Sequence, residues 1–120
     1  MTNEFRNSFA ENIFRFKYAQ GPGDSWAKLA ERLVEDVCGP TTKGPALLST
    51  GDRRTLTELI RDFRFIPGGR YLYYAGRPYK AFNNCYLLRA EEDTREEWSN
   101  VTWRAMSCLM TGGGIGIDYS

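Results

Sequence analysis

Asn83-Asn84-Cys85-Tyr86 places a thiol directly after two side-chain amides, at the start of an apolar run. About one helix later comes Gly112-Gly113-Gly114-Ile115-Gly116-Ile117-Asp118. A thiol in a polar setting can act as a nucleophile or as a reductant that ends as a disulfide. A glycine cluster lets backbone approach a ligand closely. The chain has no histidine. That excludes Ser-His and Cys-His dyads, His-based acid–base catalysis and most transition-metal sites. The thiol is the strongest nucleophile or redox group left.

Each feature has a purely structural reading as well. A free cysteine in a strand is most often a small buried hydrophobe. Two consecutive Asn before Cys85 argue against that, because buried amides need partners. A helix C-cap explains one glycine. Gly112, Gly113, Gly114 and Gly116 exceed that need and suggest backbone N–H groups close to a ribose or phosphate. A dinucleotide fingerprint is excluded: the G-x-G-x-x-G spacing is absent, and these glycines follow a helix and lead into a strand. No Gly-Lys-Ser/Thr follows, so a P-loop is excluded too.

The remaining cysteines, Cys38 and Cys108, fall at a helix end and on an apolar helix stripe and read as structural. An odd count at irregular spacing is no disulfide framework, and no C-x-x-C pair suggests zinc. Tyr71, Tyr73 and Tyr74 with Arg70 and Arg77 could stack single-stranded bases. The 16 Lys plus Arg against 15 Asp plus Glu, formal net charge +1, give no general field to recruit nucleic acid or an anionic membrane. No nucleic-acid or membrane partner is therefore expected. At 120 residues, 42% hydrophobic and 26% charged, the chain has globular composition and is one domain or part of one. No apolar run approaches a membrane span, and Met1-Thr2-Asn3-Glu4-Phe5-Arg6 lacks a signal-peptide core, so the expected location is cytoplasmic.

Helices must position these groups. Phe9, Ile13 and Phe16 predict a helix over 7–18, capped by Asn7 or Ser8. Gly21-Pro22-Gly23 breaks it. Asp24-Ser25 caps an amphipathic helix with Trp26, Leu29, Leu33 and Val37 on one face, stopped by Gly39-Pro40. Leu56, Leu59, Ile60 and Phe63 stripe another, which Ile66-Pro67-Gly68-Gly69 ends. Arg70 to Ala75 is expected extended, with a turn at Gly76-Arg77-Pro78. A strand over 84–89, apolar on both faces, is followed by a capping box at Thr94-Arg95-Glu96-Glu97. The helix it opens carries Trp98, Val101, Ala105, Cys108 and Leu109, and Gly114 to Tyr119 forms a second strand. Strand–helix–strand over this length is one βαβ unit. The expected division is 1–64, helical, and 65–120, α/β.

The order Phe65-Ile66-Pro67-Gly68-Gly69-Arg70, Ala75-Gly76, Asn84-Cys85, Asp93-Thr94, Gly112-Gly113-Gly114-Ile115-Gly116 resembles the start of the catalytic chain of ribonucleotide reductases. It is most similar to the adenosylcobalamin-dependent class II, with the iron-dependent class as the alternative. The resemblance implies an α/β fold: a helical N-terminal region leading into the first strands of a ten-stranded barrel. It implies radical reduction of a ribonucleotide substrate to a deoxyribonucleotide. Cys85 would be one of two thiols that reduce the ribose 2′ carbon and become a disulfide. Gly69, Asn84 and Gly114 would border substrate, and Asp93, Thr94 and Arg95 would bind a deoxynucleotide effector. The radical cysteine, the partner of Cys85 and the other catalytic residues lie downstream in that family. The chain is accordingly expected to be an N-terminal portion, inactive alone, whose partner is the remaining C-terminal part of the reductase. A non-catalytic interaction module is the competing expectation, and a single-stranded nucleic-acid binder a third.

Overall fold

The computed structural model describes residues 4–120; the first three residues of the N-terminal stretch read above lie outside them. The chain forms two compact units, Met1–Lys80 and Ala81–Ser120. The sequence division at 64/65 put residues 65–80 with the second.

In the first unit, α1 (Ser8–Ile13) runs on into one π-helical turn, Phe14–Tyr18. Asn7 caps it, its Oδ1 accepting from the Ala10 N–H at 2.8 Å. The expected Phe9–Ile13–Phe16 stripe is not the buried one. Phe9 is 72% and Phe16 96% exposed, whereas Phe14 is buried and Ala10 and Tyr18 pack beside it. That alternative set recurs every four residues, an equally helical period. Helix α2 (Trp26–Cys38) is capped by Ser25 and buries Trp26, Leu29, Ala30, Leu33 and Val34, as its spacing predicts.

Helix α3 (Thr50–Arg61) contributes Ile60 to this core. It stops at Asp62, earlier than the Pro-Gly-Gly signal suggests, through a Schellman turn. Arg64 N–H donates to the Leu59 carbonyl at 2.9 Å and Phe63 N–H to that of Ile60 at 3.1 Å. Phe63 occupies the left-handed position (φ 56°) where glycine is usual. The aromatic core supports it there. The Phe63 ring stacks on Trp26 with centroids 4.8 Å apart, and Phe5 meets it edge-on. The Trp26 indole N–H donates to the Ile60 carbonyl at 2.9 Å.

Residues expected to be extended form α4 (Gly69–Tyr74) instead. The aromatic run favours strand by propensity, but the buried residues are Leu72 and Ala75, three apart, and that is a helical interval. The tyrosines engage one another: Tyr73 meets Tyr74 at 4.9 Å, Tyr74 meets Tyr79 at 5.8 Å, and the Arg77 guanidinium covers Tyr73 at 4.3 Å.

The second unit is a right-sized βαβ: β1 (Cys85–Arg89), α5 (Arg95–Met110) and β2 (Gly114–Asp118). The strands are parallel, with Cys85 opposite Gly114 and Arg89 opposite Asp118. α5 buries Val101 and Ala105, while Leu109, expected on the same face, is half exposed. Only one face of the sheet is covered, not two: Leu87 is 82% exposed. Among the described residues no helix is long and apolar enough to cross a membrane.

Candidate functional site

Alternation along the two strands sorts their side chains into two sets. Tyr86, Leu88, Ile115 and Ile117 are half-buried on the side of α5. Cys85, Leu87 and Arg89, with Gly114, Gly116 and Asp118 beside them, form the other face. Along this face β2 offers no side chain before Asp118. The result is a bare strip of backbone next to an exposed thiol.

The parallel ladder is what brings the two sequence motifs together. Gly114 N–H donates to the Asn84 carbonyl at 2.8 Å, which fixes the first rung. A methyl group built on Gly114 would stand 3.5 Å from Cys85 Sγ, an ordinary contact. On Gly116 it would stand 3.8 Å from Leu87 Cδ1. Sterics within the unit therefore do not demand glycine at either place. The other two glycines have local causes. Gly112 ends α5 at φ 80°, and a methyl group on Gly113 would fall 2.4 Å from the Tyr86 ring.

This revises the expectation that glycine N–H groups face a ligand. The N–H of Gly114 is spent on Asn84 and that of Gly112 on the Leu109 carbonyl at 2.8 Å. What Gly114 and Gly116 offer is the missing side chain. The thiol also sits at the N-terminal ends of the strands, whereas open α/β sheets usually bind ligands at the C-terminal ends.

Cys108 lies half-buried on α5, on the covered side of the sheet, so the sheet stands between it and the Cys85 face. Cys38 belongs to the first unit. Gly69 does too, as the first residue of α4; a methyl group there would meet the Tyr18 hydroxyl at 3.1 Å. Asp93, Thr94 and Arg95 are in the same unit as Cys85 but at its other end. α5 spans about 24 Å at 1.5 Å per residue, and they stand at its start. With Trp98 and Ser99 they line an open hollow, and Trp98 packs on Tyr119 at 4.7 Å.

Only half of the expected capping box forms. Thr94 Oγ1 accepts from the Glu97 N–H at 3.1 Å, but the Glu97 carboxylate reaches past Thr94 to the Glu91 N–H at 3.3 Å. It also accepts from Arg104 at 2.9 Å and Asn100 at 3.1 Å. These donors hold its pKa below the usual glutamate value, Asn100 foremost. Sequence reasoning placed Gly116 in the glycine cluster but missed Leu87 and Glu97 as parts of the site. Leu87 was legible from its every-second-residue spacing with Cys85, opposite Gly116; Glu97 was hidden by its capping role.

One comparison bears on what this geometry is for. A protein of Mycobacterium phage D29, provisionally named an adenosylcobalamin-dependent ribonucleoside-triphosphate reductase, is 29% identical over 101 residues. The likeness points to a distant ribonucleotide reductase relation. It covers 83% of this chain and 14% of the phage protein. No family profile and no solved structure matches the chain.

The cofactor in that protein's name carries its cobalt inside a corrin ring, so a cluster of protein ligands is not what would hold it. This chain has no histidine and so offers that cobalt no imidazole.

Proposed function

We propose that the chain is the N-terminal part of a ribonucleotide reductase and that Cys85 is one of its two reductant thiols. The observation that carries this is the pairing of Cys85 with Gly114: an exposed thiol beside a strip of strand with no side chains, where a flat substrate can lie against backbone. The phage likeness supplies the reaction class. In the balanced step, two thiols give two electrons and two protons, the ribose 2′ hydroxyl leaves as water, a hydrogen replaces it and a disulfide forms. Asn84 and Gly114 border the substrate. Asp93, Thr94 and Arg95 take a deoxynucleotide effector.

On the face that carries Cys85 the unit offers no second thiol. In this reading the partner thiol, the radical centre and any adenosylcobalamin belong to the remaining C-terminal part of the reductase, and the two strands continue into its ten-stranded α/β barrel. The exposed Leu87 also favours a second reading, a module that only docks another polypeptide on this face.

Cys85→Ser separates the two. In enzyme reconstituted with the remaining reductase polypeptide, Cys85→Ser should abolish multiple turnover while leaving assembly intact. Full turnover by that variant would rule out the redox role.

A further inference from the structure

The loop between β1 and α5 is five residues, Ala90 to Thr94, and four of them are exposed. A short polar loop of this kind has little apolar burial to hold it, so its shape depends on hydrogen bonds. Here they converge on one side chain. Glu97 Oε1 accepts from the Glu91 N–H in the loop and from Arg104 two turns further along α5. The same Arg104 nitrogen donates to the carbonyl of Arg89, the last residue of β1, at 3.1 Å. Glu97 Oε2 takes the Asn100 amide, and the Glu97 N–H closes on Thr94. The loop, Asn100 and Arg104 thus meet at a single carboxylate, whose side chain is only 17% exposed, and Arg104 links it to the strand end.

We infer that Glu97 is the positioning residue of this loop, the post that holds Asp93, Thr94 and Arg95 in place beside Trp98. It does not line the hollow itself; its carboxylate acts through Glu91 and Arg104. The choice of residue follows from the geometry. A carboxylate offers two acceptor oxygens at the reach of a glutamate, and its charge strengthens the bonds from Arg104 and from backbone. Aspartate is one methylene too short to span from the third helical position to Glu91. Glutamine keeps the length but has one acceptor oxygen and no charge. The consequence for nucleotide binding rests on the effector reading of Asp93–Arg95; the consequence for the loop does not.

Two measurements on the full 120-residue chain keep these apart. Amide hydrogen exchange in wild type, Glu97→Gln, Glu97→Asp and Glu97→Ala reads the loop. Titration with the four deoxynucleoside triphosphates, followed by amide shifts at residues 93–99, reads the hollow. Exchange at Glu91 should rise at least tenfold in Glu97→Ala and Glu97→Asp and less in Glu97→Gln, with the amides of Val101 and Ala105 unchanged. Nucleotide affinity should fall in the same order. If Glu97→Ala unfolds the unit, seen as faster exchange at Val101 and Ala105, the Glu97→Gln variant decides. Unchanged exchange at Glu91 in variants that remain folded overturns the inference. Faster exchange at Glu91, with no nucleotide bound even by wild type, upholds Glu97 as the post and sinks the effector reading.

Discussion

Gly114 faces Cys85 across the first rung of a parallel ladder, and the space its missing side chain leaves is the space beside the thiol. Its neighbour Gly113 is a glycine for a different reason, the Tyr86 ring on the other face. The two should therefore respond differently to the same added methyl group. Gly114→Ala makes only an ordinary contact and should change stability by no more than about 0.5 kcal/mol, the range of surface substitutions. It should slow reaction of Cys85 with a bulky disulfide reagent several-fold. Gly113→Ala must displace the Tyr86 ring and should cost about 1–3 kcal/mol, as overpacking does. A double-mutant cycle with Tyr86→Ala should recover most of that loss. Urea unfolding and thiol titration measure both. Equal stabilities for the two alanine variants would remove the distinction.

Phe63 combines a backbone conformation that suits glycine with a ring that the core needs. Left-handed backbone costs a non-glycine residue about 1–2 kcal/mol. Deleting a packed aromatic ring costs about 3 kcal/mol or more when fully buried, and Phe63 is partly buried. Phe63→Gly loses the ring and relieves the strain. Phe63→Ala loses the ring and keeps the strain. The expected order of stability is wild type, then Phe63→Gly, then Phe63→Ala, with the last two separated by about 1 kcal/mol. This inverts the usual advantage of alanine over glycine. Denaturant midpoints, followed by the fluorescence of stacked Trp26, report the order.

Two aspartates of the first unit should give it an acid limit. Burial alone would raise the pKa of Asp24. The hydrogen bonds and charge of Arg32, at 3.1 and 3.0 Å, with the N–H groups of Gln20 and Ser25, outweigh it and hold the pKa below 3.8. Burial likewise opposes, and Lys80 and the Gly76 N–H outweigh it, at Asp36. A carboxylate with a depressed folded pKa adds stability above its unfolded pKa and loses it as pH falls through the folded one. Stability should thus hold down to about pH 4 and drop below it. Asp24→Asn and Asp36→Asn should each lower stability at neutral pH and flatten the acid drop. An unchanged acid slope in both variants would count against the assignment.

The sequence readily showed what local chemistry decides. Ser25 and Thr94 as caps, the α2 stripe from Trp26 to Val37, Gly112 as a stop and the strand–helix–strand order all follow from neighbouring residues. What it hid depended on choices made in three dimensions. Two helical registers run through residues 9–18, and the packing of Phe14 against Phe5 and Trp26, with ring centroids 5.3 and 6.3 Å away, selects one. The run 71–74 has strand-forming residues on a helical burial period. The capping glutamate was visible, but not that Glu91 and Arg104 would claim it. For the candidate site, the motifs at Cys85 and Gly114 were legible separately. Their contact needed the register, since a shift of one residue would put Cys85 beside an isoleucine and on the opposite face from Gly114.

Leu87 tests whether the exposed sheet face is destined to be covered. In this chain it makes little contact, being 82% exposed, so Leu87→Lys should change stability by less than about 0.5 kcal/mol. It should also raise solubility, because the substitution charges an apolar residue on a two-stranded sheet whose edges are open. If further reductase polypeptide packs on this face, the same lysine becomes a buried unpaired charge on assembly, a change that costs several kcal/mol. Leu87→Lys should then prevent reconstitution with the remaining reductase polypeptide, although the isolated chain folds as well as wild type. The measurement is co-purification of the two parts beside a thermal melt of this one alone. Normal assembly of Leu87→Lys would show that no polypeptide packs over Leu87.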